Sequence, residues 1–118
     1  MTPVDRSRLA SVRTIDLTTT GRKTGEPRRI EIWWFHVEGR FVITGTPGRR
    51  DWMANVLADP RVTIRAGRIG FTARVVPVDD PGFRRRVFTH PETSWYSTQA
   101  ELERLVATAP MVEVVFPD

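Results

Sequence analysis

Hydrophobic and polar residues alternate along most of the chain, a pattern that predicts half-buried β-strands. The predicted strands cover 12–20, 28–37, 40–44, 61–66, 68–78 and 111–116. Apolar residues at helical spacing predict helices over 51–58 and 98–108, and a proline-led start predicts another over 81–88. A short helix or a loose arm is expected over 1–11, with Asp5 as its N-cap.

The order of these elements predicts a mainly β (α+β) fold. Six strands follow one another through short connections, with small helices between them, so we expect a partly open antiparallel barrel with peripheral helices. The first three strands should form an antiparallel meander. The length of 118 residues fits a single domain over 1–118.

Composition narrows the classes of function. The chain has no cysteine, which excludes disulfides and thiolate metal sites. It also lacks a membrane-length apolar run and a signal-peptide core, so a cytoplasmic protein is expected. The net charge is +4, and residues 1–30 hold seven basic and three acidic side chains. This bias favours an anionic partner, which a phosphorylated cofactor, a nucleic acid or a membrane surface would satisfy.

The first candidate site is the glycine-bracketed turn over 21–25. Glycine at both ends permits a sharp turn with exposed amides. Four cations and two threonine hydroxyls lie on or beside it: Arg22, Lys23, Arg28, Arg29, Thr20 and Thr24. Guanidinium groups bind phosphate at two points, so the turn is a candidate cradle for phosphate or a polycarboxylate. A solvated hairpin with surface arginines is an equally good interpretation of these residue types.

The second candidate site is the loop that leads into the helix predicted at Asp51. Its residues are Thr44, Gly45, Thr46, Pro47, Gly48 and Arg49. Amides at a helix N-terminus attract anions, and the two glycines permit close approach of a flat ring. The alternative is an ordinary strand-to-helix connection.

Aromatic residues form a third candidate group. Trp33, Trp34, Phe35, Trp52, Trp95 and Tyr96 lie near the two loops or in the late segment. Such residues line pockets, although they fill cores and dimer contacts more often. His36 and His90 have no partner at metal-ligand spacing, so no metal site is predicted.

Residues 17–28, Leu-Thr-Thr-Thr-Gly-Arg-Lys-Thr-Gly-Glu-Pro-Arg, resemble the signature of a known family. It is the deazaflavin-dependent nitroreductase family, also called F420H2-dependent quinone reductases. The resemblance continues through 30–34, Gly45, Gly48 and 51–62, so it covers about residues 12–75.

This resemblance implies a split β-barrel that binds coenzyme F420, a 5-deazaflavin with a phosphate and an acidic polyglutamate tail. Arg22, Lys23 and Arg28 would meet the phosphate or the tail, helped by Thr20, Thr24 and Arg29. The loop of residues 44–49 would lie beside the ring, which Trp52 and Asn55 would support.

The resemblance also implies hydride transfer from the reduced cofactor to a small acceptor, such as a quinone, a nitro compound or an activated alkene. Trp33, Trp34, Phe35 and Trp95 are the candidates for the acceptor pocket. Tyr96 is the candidate catalytic proton donor.

Three alternatives remain open. One is a split-barrel reductase that uses FMN, which needs fewer cations than the turn offers. A second is a barrel that binds a cofactor without turnover. A third is a nucleic-acid-binding barrel, although no nucleic-acid partner is expected because aromatic and basic residues do not interleave on one strand face. Either a monomer or a homodimer is expected.

Overall fold

The computed structural model describes residues 6–117, so the N-cap predicted at Asp5 lies outside the described residues. Within that range, the strands are β1 Thr14–Thr20, β2 Pro27–Val37, β3 Arg40–Thr44, β4 Arg61–Ala66, β5 Ile69–Pro77 and β6 Met111–Val115. The helices are α1 Arg6–Leu9, α2 Asp51–Ala58, α3 Pro81–Phe88 and α4 Leu102–Thr108, with a 3-10 helix over Pro91–Thr98. The predicted mainly β fold is confirmed.

The strands form a closed antiparallel barrel in the order β1-β2-β3-β6-β5-β4. The predicted meander is confirmed, because β2 pairs with both β1 and β3. The predicted barrel of six antiparallel strands with peripheral helices is also confirmed, except that the barrel is closed where a partial opening was expected. Strand β1 pairs on its second edge with β4, with Leu17 opposite Ile64, and this pairing closes the cylinder. Closure removes the unpaired edges that an open sheet would expose.

The interior of the barrel is the first of two cores. Strand alternation sends every second residue inward, including Ile15, Leu17, Ile43 and Ile64, and each is almost completely buried. Trp34 from β2 fills the same interior, and its Nε1 donates a 2.6 Å hydrogen bond to the carbonyl of Val12.

The second core lies outside the barrel, beneath the late helices. Phe35 on β2 packs there with Phe83, Val87, Leu105 and Tyr96, which come from α3, α4 and the 3-10 helix. Strand β2 is therefore covered on both faces over part of its length. This second core holds the 3-10 helix against the barrel wall.

The predicted helix over 98–108 is wrong in its first turn. The structure has the 3-10 helix Pro91–Thr98 and then α4, which begins at Leu102. The hydroxyl of Thr98 donates a 2.6 Å hydrogen bond to the carbonyl of Trp95, a turn-type contact that competes with helix capping.

Within residues 6–117, none of the helices combines the length and the apolar character that crossing a membrane requires.

Candidate functional site

The β1–β2 hairpin ends in the glycine-bracketed turn that the sequence singled out. The amide of Gly21 donates to the carbonyl of Glu26, and the amide of Gly25 donates to the carbonyl of Gly21, each at 2.8 Å. Gly25 has a φ of 75°, a left-handed conformation that favours glycine. The turn is closed by its own backbone, and it carries Lys23 at its tip.

Asn55 on α2 fastens this turn to the barrel. Its Oδ1 accepts hydrogen bonds from the backbone amide of Arg22 at 3.1 Å and from Arg22 Nη1 at 2.9 Å. Its Nδ2 donates to Thr19 Oγ1 at 3.1 Å. Asn55 is 3% exposed, so its amide is used inside the protein. Asn55 thus supports the turn, and its predicted support of the cofactor ring or tail stays a prediction.

Arg22 is also held by an acidic residue. Its Nη2 lies 3.3 Å from Oδ1 of Asp51, the first residue of α2. Asn55 and Asp51 thus engage two of the five N–H donors of the guanidinium. Arg22 is therefore held in the wall of the site by internal partners and keeps further donors.

A cavity of about 550 Å³, the basic cavity, lies between this turn and α2. It is lined by Thr19, Gly21, Arg22, Lys23, Thr24, Pro27, Arg28, Arg29, Ile30, Asp51, Trp52 and Asn55. The structure thus brings together seven of the residues predicted to bind the cofactor.

The charges in the basic cavity are unequal. Four cations face one carboxylate, that of Asp51. Within residues 6–117, the side chains of Lys23 and Arg28 make no hydrogen bond or ion pair, while Arg29 lies 3.8 Å from Asp16. Lys23 and Arg28 are therefore the cations that an anionic ligand can recruit at the lowest cost.

A second cavity of about 400 Å³, the aromatic cavity, adjoins the first one. It is lined by Thr14, Glu31, Ile32, Trp33, Thr44, Gly45, Thr46, Arg50, Trp52, Trp95 and Tyr96. Trp52 lines both cavities, and Ile30 and Ile32 of β2 contribute one to each. The two cavities are therefore neighbours along one side of β2.

Two exposed tryptophans form the outer wall of the aromatic cavity. Trp33 is 38% exposed and Trp95 is 47% exposed, and their rings meet edge to face at 5.7 Å. Trp95 also contacts the ring of Tyr96 at 5.2 Å. Large apolar rings left at the surface beside a cavity are typical of a binding site.

Tyr96 closes the inner end of the aromatic cavity. It is 4% exposed, and its hydroxyl donates a long 3.4 Å hydrogen bond to the carbonyl of Thr44. Burial raises the pKa of Tyr96 to about 12, against a smaller lowering by the charge of Arg13. The phenol therefore stays protonated at neutral pH, where it can donate a hydrogen bond but releases its proton reluctantly.

Only the first residues of the loop between β3 and α2 line the site. Thr44, Gly45 and Thr46 line the aromatic cavity, whereas Pro47, Gly48 and Arg49 line none of the described cavities. Arg49 is exposed, and Arg50 rather than Arg49 lies on the cavity wall. The Arg50 guanidinium donates hydrogen bonds to Thr46 Oγ1 and to the carbonyl of Arg49. Gly48 has a φ of 128°, and this turn directs Arg50 back towards the loop.

Two of the predicted acceptor residues are corrected by the structure. Trp34 is 1% exposed inside the barrel, because the alternation along β2 points it inward. Phe35 is equally inaccessible in the outer core, where its ring contacts Tyr96 at 5.8 Å. Neither residue lines a described cavity, so Trp33 and Trp95 remain as the exposed aromatic residues.

Other residues were missed or misplaced by the sequence reasoning. Thr20 lies in a third cavity on the far side of the turn. Sequence reasoning did not select Thr14, Ile30, Glu31, Ile32 or Asp51. Ile30 and Ile32 were recognisable as alternate residues of a strand that begins beside the glycine turn. Thr14 could not be recognised from the sequence, because only the pairing of β1 with β2 places it opposite Trp33 and so beside the site.

A small closed barrel with a basic and an aromatic cavity side by side defines a class of cofactor-binding domain. The chain belongs to the F420H(2)-dependent quinone reductase family, whose model matches residues 6–112. The name of the family denotes reductases of quinones that depend on F420H(2).

Individual relatives agree with this assignment. Over 75 residues, the chain is 35% identical to an F420H(2)-dependent quinone reductase of Mycobacterium tuberculosis, with 58% of this chain and 50% of the relative covered. The chain therefore spans about half the length of the curated relatives it matches.

Solved structures share the fold at low sequence identity. An F420-H2 dependent reductase, FDR-A, has a TM-score of 0.63 at 19% identity, covering 97% of this chain and 98% of that one. A FAD-binding protein from Mesorhizobium loti has a TM-score of 0.66 at 16% identity, covering 96% and 87%. These likenesses establish the barrel fold.

Proposed function

We propose that the chain binds F420 across the basic and aromatic cavities and, with the cofactor reduced, converts a quinone into a quinol. One observation carries the proposal. Two uncommitted cations, Lys23 and Arg28, lie at one end of a continuous site, and the exposed rings of Trp33 and Trp95 lie at the other end. The ligand that fits is anionic at one end and flat at the other.

The basic cavity has the donors that the phosphate of F420 requires. Lys23 and Arg28 bind it directly, and Arg29 and the Thr24 hydroxyl add further donors. Arg22 keeps the turn in place through Asp51 and Asn55. Charge-assisted hydrogen bonds of this kind are stronger than neutral ones, so the anionic end supplies most of the affinity.

The boundary between the two cavities suits the planar ring. The side chain of Trp52 forms a wall that is common to both, and Gly45 brings backbone close to the aromatic cavity without a side chain in between. The carbonyl of Thr44 accepts a hydrogen bond from the Tyr96 hydroxyl, and the Thr44 hydroxyl donates one to the carbonyl of Pro110 at 2.6 Å. This part of the loop is therefore held still beside the ring.

The acceptor binds against the tryptophans. Reduced F420 supplies a hydride when it is bound, so the protein contributes position rather than redox chemistry. Trp33 and Trp95 hold a flat acceptor by their faces and edges. Conversion of a quinone to a quinol takes one hydride and one proton, and the exposed tryptophans leave the cavity open to water, which provides the proton.

Tyr96 then serves as a neutral phenol at the end of this cavity. Its high pKa disfavours release of the hydroxyl proton, so we assign it a hydrogen-bonding and positioning part. The catalytic proton transfer that the sequence predicted for Tyr96 stays a prediction. Nitro compounds and activated alkenes remain open as acceptors, because flat electron-poor molecules of either kind fit the same wall.

A titration tests the binding part of the proposal. Cofactor fluorescence or tryptophan quenching would give the Kd of F420 and of FMN for the wild type, Lys23→Ala and Arg28→Ala. We expect F420 to bind more tightly than FMN, and each variant to weaken F420 binding by about 1–3 kcal/mol. Arg104→Ala is the matched control, since Arg104 is an exposed cation on α4 that lines no described cavity.

Turnover would then be followed with a soluble quinone as the acceptor. Oxidation of reduced F420 that depends on both the protein and the quinone supports the proposal. Equal affinity for FMN and F420, or unchanged F420 binding in both variants, contradicts it and favours the FMN alternative.

A further inference from the structure

The aromatic cavity carries a negative charge that the proposed function leaves unused. Among the described residues that line this cavity, Glu31 on β2 is the one acidic residue, and it is exposed. Within residues 6–117, its carboxylate makes no hydrogen bond and no ion pair. A ligand in the cavity can therefore bind this carboxylate without first displacing a partner from residues 6–117.

The alternation of side chains along β2 places Glu31 beside the tryptophan wall. Side chains two residues apart share one face of a strand and lie roughly 7 Å apart, so Glu31 and Trp33 share the outward face of β2. Trp33 meets Trp95 edge to face, with an angle of 71° between the ring planes. A flat ligand held against Trp33 therefore lies next to the carboxylate of Glu31.

The indole rings favour the same sign of charge in a ligand as the carboxylate does. The face of an aromatic ring is electronegative and attracts cations, and tryptophan is the strongest aromatic side chain in this respect. Trp33 and Trp95 are both exposed and meet at a steep angle, so they form a corner with two aromatic surfaces. A positively charged group in this corner is attracted by two rings and by Glu31.

The cavity also has a cation, but the protein itself binds it. Among the described residues, Arg50 is the one basic residue that lines the aromatic cavity. Its guanidinium donates hydrogen bonds to Thr46 Oγ1 at 2.5 Å and to the carbonyl of Arg49 at 2.9 Å. Arg50 is thus held on the loop after β3, whereas Glu31 lies on β2 beside the tryptophans.

The charged residues around Glu31 form pairs among themselves. Asp16 is opposite Glu31 on β1 and lies 3.8 Å from Arg29, the cation two residues before Glu31 on β2. Arg13 lies 3.7 Å from Glu92 on the 3-10 helix. In the proposed function, the cations of the basic cavity face the anionic end of the cofactor. The charge of Glu31 is therefore the one that an acceptor meets without a counter-ion.

We propose that Glu31 gives the acceptor site a preference for flat acceptors that carry a positive charge beside the ring. This inference rests on the proposed function and adds the charge class of the acceptor to it. The reaction itself is unchanged: one hydride and one proton reduce the quinone to the quinol, and the charged substituent takes no part. A negative substituent at the same place is repelled by Glu31.

The test uses three naphthoquinones, one neutral, one with a trimethylammonium group and one with a sulfonate group. Since a substituent also changes the reactivity of the quinone, the quantity compared is the change of each kcat/KM between wild type and variant. Glu31→Gln should lower kcat/KM for the cationic quinone about three- to fivefold and raise it for the anionic quinone about twofold, mainly through KM. Glu31→Asp keeps the carboxylate and should restore the wild-type order.

Binding without turnover provides a second measurement. With oxidised F420 present, 1-methylquinolinium should shift the indole N–H signals of Trp33 and Trp95 in NMR spectra, while the signal of the buried Trp34 stays in place. The Kd of this probe should rise about three- to fivefold in Glu31→Gln. Glu101→Gln is the matched control and should keep the wild-type Kd, because Glu101 is an exposed glutamate before α4 that lines no described cavity.

Each outcome decides the proposal. A loss in Glu31→Gln that is confined to the cationic quinone, and a preference that added salt weakens in the wild type, support it. Equal changes for the cationic and anionic quinones, or an unchanged Kd for 1-methylquinolinium, would overturn the charge preference, and turnover of the neutral quinone would leave the proposed function intact. Absence of turnover with all three quinones in the wild type would overturn both together.

Discussion

The basic cavity and the aromatic cavity are neighbours, but they are built in different ways. The basic cavity comes from one hairpin and one helix, and a buried asparagine joins the two. The aromatic cavity gathers residues from β1, β2, the loop after β3, α2 and the 3-10 helix. The basic cavity therefore depends mainly on local sequence, while the aromatic cavity depends on how distant segments pack.

This difference has a consequence for specificity. The 3-10 helix supplies Trp95 and Tyr96, and it is held by the outer core and by contacts with the residue just before β1, with β2 and with the end of β3. Its residues can change without any contact to Lys23 or Arg28. We therefore expect the acceptor preference to be adjustable within Pro91–Thr98, while the cofactor preference stays constant.

The largest effect on stability is expected when the adjacent residues Trp33 and Trp34 are substituted one at a time. Trp34 supports the barrel, whereas Trp33 is proposed to bind the acceptor. Trp34→Ala leaves a cavity inside the barrel and breaks the hydrogen bond to Val12, so the free energy of unfolding should fall by about 3–5 kcal/mol. Trp33→Ala should cost less than about 1 kcal/mol, because its ring is half exposed.

Denaturant unfolding of the two variants measures this contrast, with F420 affinity and quinone kcat/KM measured on the folded protein. Trp33→Ala should lower kcat/KM for the quinone and leave F420 affinity unchanged. Equal destabilisation by the two substitutions, or an unaltered kcat/KM in Trp33→Ala, would count against the assignment of Trp33 to the acceptor wall.

The sequence predicted the residues of the basic cavity better than those of the aromatic cavity, and the physical reason is the same. Arg22, Lys23, Arg28 and Arg29 are close in sequence and belong to one hairpin, so a glycine-bracketed turn brings them together by itself. In contrast, the pairing of β1 with β4 that closes the barrel joins segments more than 40 residues apart. No local pattern in the chain specifies that pairing.

Along β2, the alternation of inward and outward residues is enough to predict the burial of Trp34 but not that of Phe35. Alternation alone places Trp34 inside with Ile30 and Ile32, so its loss from the acceptor pocket was predictable. Phe35 lies on the opposite face, which would be exposed in a sheet with one covered side. The helical layer covers that face at Phe35 but leaves Trp33 open, and only the tertiary structure distinguishes the two residues.

A smaller effect is expected when the fastening of the basic cavity is removed. Asn55→Ala leaves the backbone amide and Nη1 of Arg22 without their acceptor and Thr19 without its donor, so the free energy of unfolding should fall by about 2 kcal/mol. The loosened turn should also bind F420 more weakly, because the cations are no longer held in place. The KM for the quinone should change little, since Asn55 does not line the aromatic cavity.

Asn55→Asp provides the comparison for that variant. Aspartate keeps an acceptor for Arg22 but loses the donor to Thr19, so F420 affinity should recover in part. Asn55→Ala with wild-type F420 affinity would show that the turn holds its shape without this contact, and the two cavities would then differ less than the structure indicates.

The smallest effect is expected at high pH, where Tyr96 tests the inner end of the aromatic cavity. The folded pKa of about 12 lies above the usual value of 10.0, so between these values the unfolded chain releases a proton that the folded chain retains. The free energy of unfolding should therefore fall as pH rises through this window, by at most about 1.4 kcal/mol per pH unit. Tyr96→Phe should lack that part of the fall. Because the chain has one tyrosine, its phenolate absorbance reports the same pKa directly, and a titration midpoint near 10 would contradict the buried position assigned to this ring.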